Sequence, residues 1–345
     1  HTAYSTDAGM IGNTLSPDEA YRFARGEQVT SSTGVPARLS RPLDFLVVSD
    51  HAENLGLAPM IAESNEKLLA NPWGRDIHDL VKEGKGREAF LKWGTEAMLP
   101  LKDPIADPKL YSTIWQRLTD AADRFNNPGY FTAFIGYEWT STPDGNNLHR
   151  VVVFKDDAEK ANKIIPMSQY DSTDPEDLWA WMASYEKDTG GDILAIPHNG
   201  NLSNGLMFDD VRYNGEPMDE DYARRRMQWE PITEVTQIKG DGEAHPELSP
   251  EDEFADFGTW DKANIASNKV KKPDMLPREY ARPALKRGLK YQQELGSNPF
   301  KFGMIGASDS HTALAPTRDD NYFGKFALNE PRADRWEHYE IQSVS

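Results

Sequence analysis

The sequence predicts a β/α barrel with its chemistry at the carboxyl ends of the strands, and three observations carry that reading. First, apolar runs of strand length alternate with stretches of helical spacing along most of the chain. Second, the run Phe302-Gly303-Met304-Ile305-Gly306 gives way to small residues and then to Asp309 and His311, a carboxylate and an imidazole two positions apart. Third, the same ending occurs earlier: Leu43-Asp44-Phe45-Leu46-Val47-Val48 closes on Asp50-His51, and Ile193-Leu194-Ala195-Ile196-Pro197 closes on His198-Asn199. Barrel proteins build their sites from strand ends, so three strands ending in ligand-type residues point to one shared site. No internal repeat of fixed length is evident.

With 345 residues, 38% of them hydrophobic, the chain can bury a sizeable core, and we read residues 1–345 as one barrel domain. A net charge of −18 argues against a nucleic acid partner, which needs a basic footprint. A small anionic substrate fits only if bound cations reverse the field locally. The absence of cysteine excludes zinc-thiolate sites, disulfides and thiol catalysis. No apolar run reaches membrane-span length, which predicts a soluble chain without a membrane partner. Bacterial periplasm and cytoplasm both fit this composition, and the oligomeric state is not legible in it. The first residue is His1 rather than Met, which predicts a processed, trimmed or partly represented chain.

In chain order, His1-Thr2-Ala3-Tyr4-Ser5-Thr6-Asp7-Ala8-Gly9 reads either as a frayed terminus or as a loop that has just left a strand. Ser16-Pro17-Asp18-Glu19 is a helix start, with a capping Ser, Pro at the first helical position and Glu three residues after the cap. Gly26 stops that helix, and the Leu43 strand follows a Ser/Thr/Gly-rich loop. Residues 54–128 hold no convincing strand; Ile77, Leu80 and Val81, then Leu91, Trp93 and Met98, predict a mostly helical insertion. His78 within it reads as an ordinary surface or helix histidine. Asn127-Pro128-Gly129 marks the return to the main fold.

The aromatic run Tyr130 to Tyr137 ends in Glu138-Trp139, a turn follows at Pro143-Asp144-Gly145-Asn146, and Leu148-His149-Arg150 opens a strand through Phe154. That order predicts a hairpin holding Glu138 and His149 near each other. Asp174-Pro175-Glu176-Asp177 starts a helix that runs to Gly190. The amide-dense loop Asn199 to Gly205 reads equally as a polar turn or as a substrate contact. Asp219 to Arg226 reads as a solvated helix face, Ile232 to Ile238 as a strand, and Pro250 to Asp256 as acidic surface. Leu276 to Gly296 is a helix whose opening turns are set apart by Pro283.

Five of the eight histidines, His1, His51, His149, His198 and His311, stand at or beside strand ends, accompanied by Asp7, Asp50, Glu138 and Asp309. Imidazole and carboxylate together suit zinc, manganese or iron(II), and a carboxylate can bridge two cations. The pattern predicts a divalent metal cluster.

The same segments resemble the motifs of the PHP (polymerase and histidinol phosphatase) superfamily. More narrowly, His1-Thr2…Ser5…Asp7-Ala8, Ala20 to Gly26, Ser49-Asp50-His51-Ala52-Glu53, Gly136-Tyr137-Glu138-Trp139-Thr140, Pro197-His198-Asn199-Gly200-Asn201 and Gly306 to Thr312 are similar to the family catalogued as domain of unknown function 3604. The resemblance covers nearly the whole chain. It implies a distorted (β/α)7 barrel with two or three divalent ions, manganese, zinc or iron(II). It further implies His1, Asp309 and bridging Glu138 at a first metal, Glu138, His149 and His198 at a second, and Asp7, His51 and His311 at a third. Asp50 would then orient ligands from outside the cluster. The first histidine of the superfamily's opening His-x-His pair would lie before His1, and its barrel runs on beyond Ser345, so the resemblance also implies trimming at both ends.

From this ligand set follows the expectation of an ester hydrolase in which a metal-activated hydroxide attacks a small phosphate ester. Glu138 would bridge, and Asp50 or Asp7 would relay a proton. Arg150, Asn199, Asn201 and Lys239 are the candidates for holding the anionic group, and Trp139 reads as either a pocket wall or a core residue. A sulfatase using the same site is the close rival, and a metal-stabilised binding module without catalysis is the rival of another class.

Overall fold

The computed structural model describes residues 1–337. Among them the strands are β1 (Val29–Thr30), β2 (Pro36–Ala37), β3 (Phe45–Val47), β4 (Thr132–Trp139), β5 (Arg150–Phe154), β6 (Ile193–Pro197), β7 (Ile232–Gln237), β8 (Gly240–Asp241) and β9 (Gly303–Gly306). The apolar runs that end in ligand-type residues are therefore strands. They do not close into a barrel: among the described residues the sheets hold two, four and three strands. The expected (β/α)7 barrel is corrected to a mixed α/β fold with small sheets. Closure needs two neighbours for every strand and cover over the outer face. Instead β3 and β9 are edge strands, with Phe45 63% and Met304 49% exposed. An apolar run specifies a strand but not its partner.

The chain separates into two compact units, each assembled from distant segments. The first takes His1–Trp139, Val153–Tyr170 and the described residues from Ser308 onward. Here β3 and β4 run parallel, with Phe45 opposite Thr132 and Val47 opposite Phe134. That register continues beyond β3 as a bridge between His51 and Glu138, where Glu138 N–H donates to the Asp50 carbonyl (3.0 Å) and Ala52 N–H to that of Glu138 (2.9 Å). Strand pairing alone therefore sets the Asp50-His51 pair beside Glu138.

Between β3 and β4 the chain is helical, from Leu57–Ala62 to Pro108–Phe125. The last helix starts at Asp107, whose carboxylate accepts from the Lys109 and Leu110 amides, and buries Ile114, Trp115 and Leu118. Trp115 meets Tyr137 and Phe154 edge-on and tilted, at centroid distances of 6.0 and 5.8 Å. His78 lies on the helix Pro72–Lys82 and bonds Ser64 and Asp79.

The second unit takes Thr140–Val152 and Asp171–Ala307. In it β7 pairs parallel with β9 and antiparallel with β8, with a register shift between Glu234 and Thr236. The helix Pro175–Thr189 is capped by Asp174 and stops at Gly190, whose φ of 63° suits a residue without Cβ. The helix Ala281–Leu295 carries Pro283 in its first turn, where no intrahelical N–H is needed, and Leu276–Arg278 forms a separate 3-10 turn. The face from Asp219 to Arg226 needs one correction. Arg226 is buried on the helix Glu220–Trp229, its guanidinium near Glu230 (3.3 Å) and donating to the Met207 carbonyl (2.7 Å).

Candidate metal centre

In the first unit, segments far apart in sequence converge on one buried group. His1 Nε2 lies 3.2 Å from Glu138 Oε2 and 3.1 Å from Asp309 Oδ1. Glu138 presents its other oxygen to His51 Nδ1 at 3.5 Å. Asp7, on the short helix Thr6–Met10, offers one oxygen both to His311 Nε2 (2.9 Å) and to His51 Nε2 (3.4 Å). Ligand atoms of His1, Glu138 and Asp309 lie within 4.8 Å of one another, as do those of His1, His51 and His311. Donors placed at about 2.0–2.2 Å from one cation sit about 3 Å apart, so the spacing, the N/O donor set and the burial fit a divalent ion.

Electrostatics follow from burying acids and imidazoles together. Burial alone would lower the pKa of His1, but its hydrogen bonds to Asp309 and Glu138 prevail and raise it to about 10. His51 is likewise raised, against its burial, by the charges of Glu138 and Asp7. His311 is lowered to about 3, first by burial and then by Lys325 and His1. Burial would raise Asp7, but His311 and His51 hold it well below the usual carboxylate range. In the absence of a cation, a protonated His1 thus supplies positive charge between Glu138 and Asp309.

Asp50 is not one of these grouped ligands and clasps the opening segment instead. It accepts from Thr2 N–H (2.6 Å), Thr2 Oγ1 (2.6 Å) and Ser5 Oγ (3.2 Å). Burial raises its pKa, opposed by His1, Thr2 and Ser5. Sequence reasoning missed Lys325, whose Nζ donates to the carbonyl (2.7 Å) and Oδ2 (2.6 Å) of Asp309 and lies 2.8 Å from His311 Nδ1. It also missed Asn13, which donates to the His311 carbonyl at 2.8 Å. Neither carries a local signal: these contacts span 14 to 298 residues. Asp309 adopts φ 49°, a left-handed conformation Asp tolerates better than most residues, at the place where the chain turns its carboxylate toward His1.

The remaining predicted residues lie in the second unit. His149 and His198 stand at the ends of β5 and β6, their rings nearly perpendicular at 5.7 Å, and His198 N–H donates to the His149 carbonyl at 3.4 Å. Arg150 is buried, with Nε donating to Glu230 Oε1 at 2.9 Å and Nη1 to the Leu148 carbonyl, so its charge is committed inside this unit. Asn199 and Asn201 are also buried, in and beside the 3-10 turn Gly200–Leu202. Asn199 Oδ1 accepts from Gln237 (2.7 Å), and Asn201 Nδ2 donates to the Lys239 carbonyl (3.1 Å). Lys239 is buried, its backbone N–H donating to Gln237 Oε1 at 2.6 Å. Trp139, in the first unit, is fully buried at the end of β4.

Comparison with known proteins agrees with the motif order. No curated protein and no solved structure matches the chain. Over residues 1–344 it matches the family described as "Protein of unknown function (DUF3604)". The strand-end acids and imidazoles described above are thus those of a chain that belongs to the DUF3604 family.

Proposed function

We propose that this chain is a metal-dependent hydrolase of small phosphate esters with a PHP-like cluster that binds manganese, zinc or iron(II). The observation that carries the reading is the convergence of His1, His51, Glu138, Asp309, Asp7 and His311 in one buried group. When bound, divalent ions would supply Lewis acidity toward an anionic ester and lower the pKa of water. The chain's own residues do the rest. Glu138 directs one oxygen to His1 and the other to His51, the disposition of a bridging carboxylate. Asp7 keeps slight solvent exposure, which suits it to pass a proton outward at Oδ2. Asp50 holds Thr2 and Ser5, and with them the segment that bears His1. The acidic chain, at −18, accords with a small substrate rather than a nucleic acid. Among the described residues no helix is long and apolar enough to cross a membrane.

Aryl phosphate and aryl sulfate, assayed side by side with added manganese or zinc, separate phosphoesterase from sulfatase. Turnover of either that vanishes in Glu138→Gln supports hydrolysis at this site. A fully metallated protein inert toward phosphate, phosphonate and sulfate esters would point instead to a metal-stabilised binding module.

A further inference from the structure

A histidine can ligate a cation only through the nitrogen that lacks a proton, so the partner of the other nitrogen decides which one is available. For His1 that partner is Ser5, whose Oγ lies 2.7 Å from His1 Nδ1. The serine has one proton and two lone pairs, and its neighbours fix where each goes. The backbone N–H of His51 donates to Ser5 Oγ at 2.9 Å, which fills one lone pair. Asp50 Oδ1, 3.2 Å away, accepts from the Ser5 hydroxyl, as it does from the Thr2 backbone N–H at 2.6 Å. The Ser5 proton therefore goes to Asp50, and the second lone pair must accept from His1 Nδ1–H. The proton that His1 gives up to a cation is then the one on Nε2, the nitrogen facing Glu138 and Asp309.

From this chain of forced donors and acceptors we infer that Ser5 is a positioning residue that fixes His1 in the tautomer able to ligate a cation through Nε2. The second unit repeats the device with the opposite nitrogen. The Thr142 hydroxyl donates to the Thr140 carbonyl at 2.9 Å and so accepts from His149 Nε2, also at 2.9 Å, which puts a His149 proton on Nε2. The inference rests on the metal-binding reading above but makes a finer claim, the identity of each ligating nitrogen.

The test uses the whole chain with 15N-labelled histidine, titrated with zinc alone and followed by long-range 1H–15N correlation. The inference expects His1 to keep its proton on Nδ1 and shift at Nε2 as zinc binds, and His149 to keep its proton on Nε2. Zinc bound with His1 Nδ1 as the ligating nitrogen overturns it. Failure of any histidine to respond overturns the metal-binding reading itself, a distinguishable outcome. In a chelator competition, Ser5→Ala should weaken zinc binding about 10- to 100-fold, and Ser5→Thr should restore most of that loss. Zinc affinity unchanged in folded Ser5→Ala would also overturn the positioning role.

Discussion

Asn54, three residues beyond His51, joins the helical stretch to the strand end that carries the cluster, and Asn54→Ala should be costly. Its side chain is buried and makes four hydrogen bonds. Nδ2 donates to Asp103 Oδ1 and to the Tyr111 hydroxyl, both at 2.9 Å, while Oδ1 accepts from Trp93 Nε1 at 2.9 Å and from the Tyr170 hydroxyl at 2.8 Å. Truncation takes from buried Trp93 Nε1 its acceptor at 2.9 Å, about 1–3 kcal/mol. Tyr170 retains the Met98 sulfur at 3.6 Å, so its loss is smaller, about 1 kcal/mol. Asn54 also sits at φ 54°, where alanine costs about 1–2 kcal/mol. The total is about 3–6 kcal/mol, a large part of the 5–15 kcal/mol typical of folded proteins. Guanidinium unfolding followed by tryptophan fluorescence reads this directly, since Trp93 is a member of the network. Asn54→Gly loses the same bonds without the backbone penalty and should be about 1 kcal/mol less damaging than Asn54→Ala. A loss below about 1 kcal/mol in Asn54→Ala, or a glycine variant worse than the alanine one, would refute this reasoning.

Three further outcomes follow from the same structure. Zinc at a hundredfold excess over its dissociation constant should stabilise the protein by about 2.7 kcal/mol, seen as a higher Tm that a chelator reverses; no shift with any divalent ion would contradict the cluster. In chelator, the folded-state pKa of about 10 at His1 lies above its ordinary 6.5, so its stabilising contribution is complete below about pH 6.5 and is lost as pH climbs toward 10. His51 is raised as well and acts with the same sign, so unfolding free energies that increase across this window would contradict the arrangement. Glu230→Leu should cost about 3–5 kcal/mol in denaturant, because it strips the countercharge from buried Arg150 and Arg226 and the acceptor from Trp179 Nε1. Near-neutral behaviour would mean those guanidinium groups are compensated elsewhere.

What could be read in the sequence is what local order encodes. Asp50-His51, Glu138 and Asp309…His311 announced themselves because each follows a strand-like run, and residues 54–128 showed helical spacing. Pro283 likewise set the opening turns of the Leu276 stretch apart, and Leu276–Arg278 is a separate 3-10 turn, although the helix begins at Ala281, before the proline. Pairing is a different matter. Nothing within the Leu43 or Phe302 runs says that β3 and β9 lie at sheet edges, and without that knowledge the alternation of strands and helices reads as a closed barrel. Ser5, Asn13, Asn54 and Lys325 have unremarkable neighbours in sequence, and their importance comes from contacts with distant segments. Arg226 sits in a charged run that looks solvated, and only tertiary packing turns that one residue inward toward Glu230.

The central claim is that His1, Glu138 and Asp309 share a cation. Crystals grown with zinc and measured at the zinc absorption edge address it most directly. The expected result is an anomalous peak about 2.0–2.2 Å from His1 Nε2 and from an oxygen of each acid. Well-ordered side chains with no peak among them, or zinc found only on the molecular surface, would contradict it.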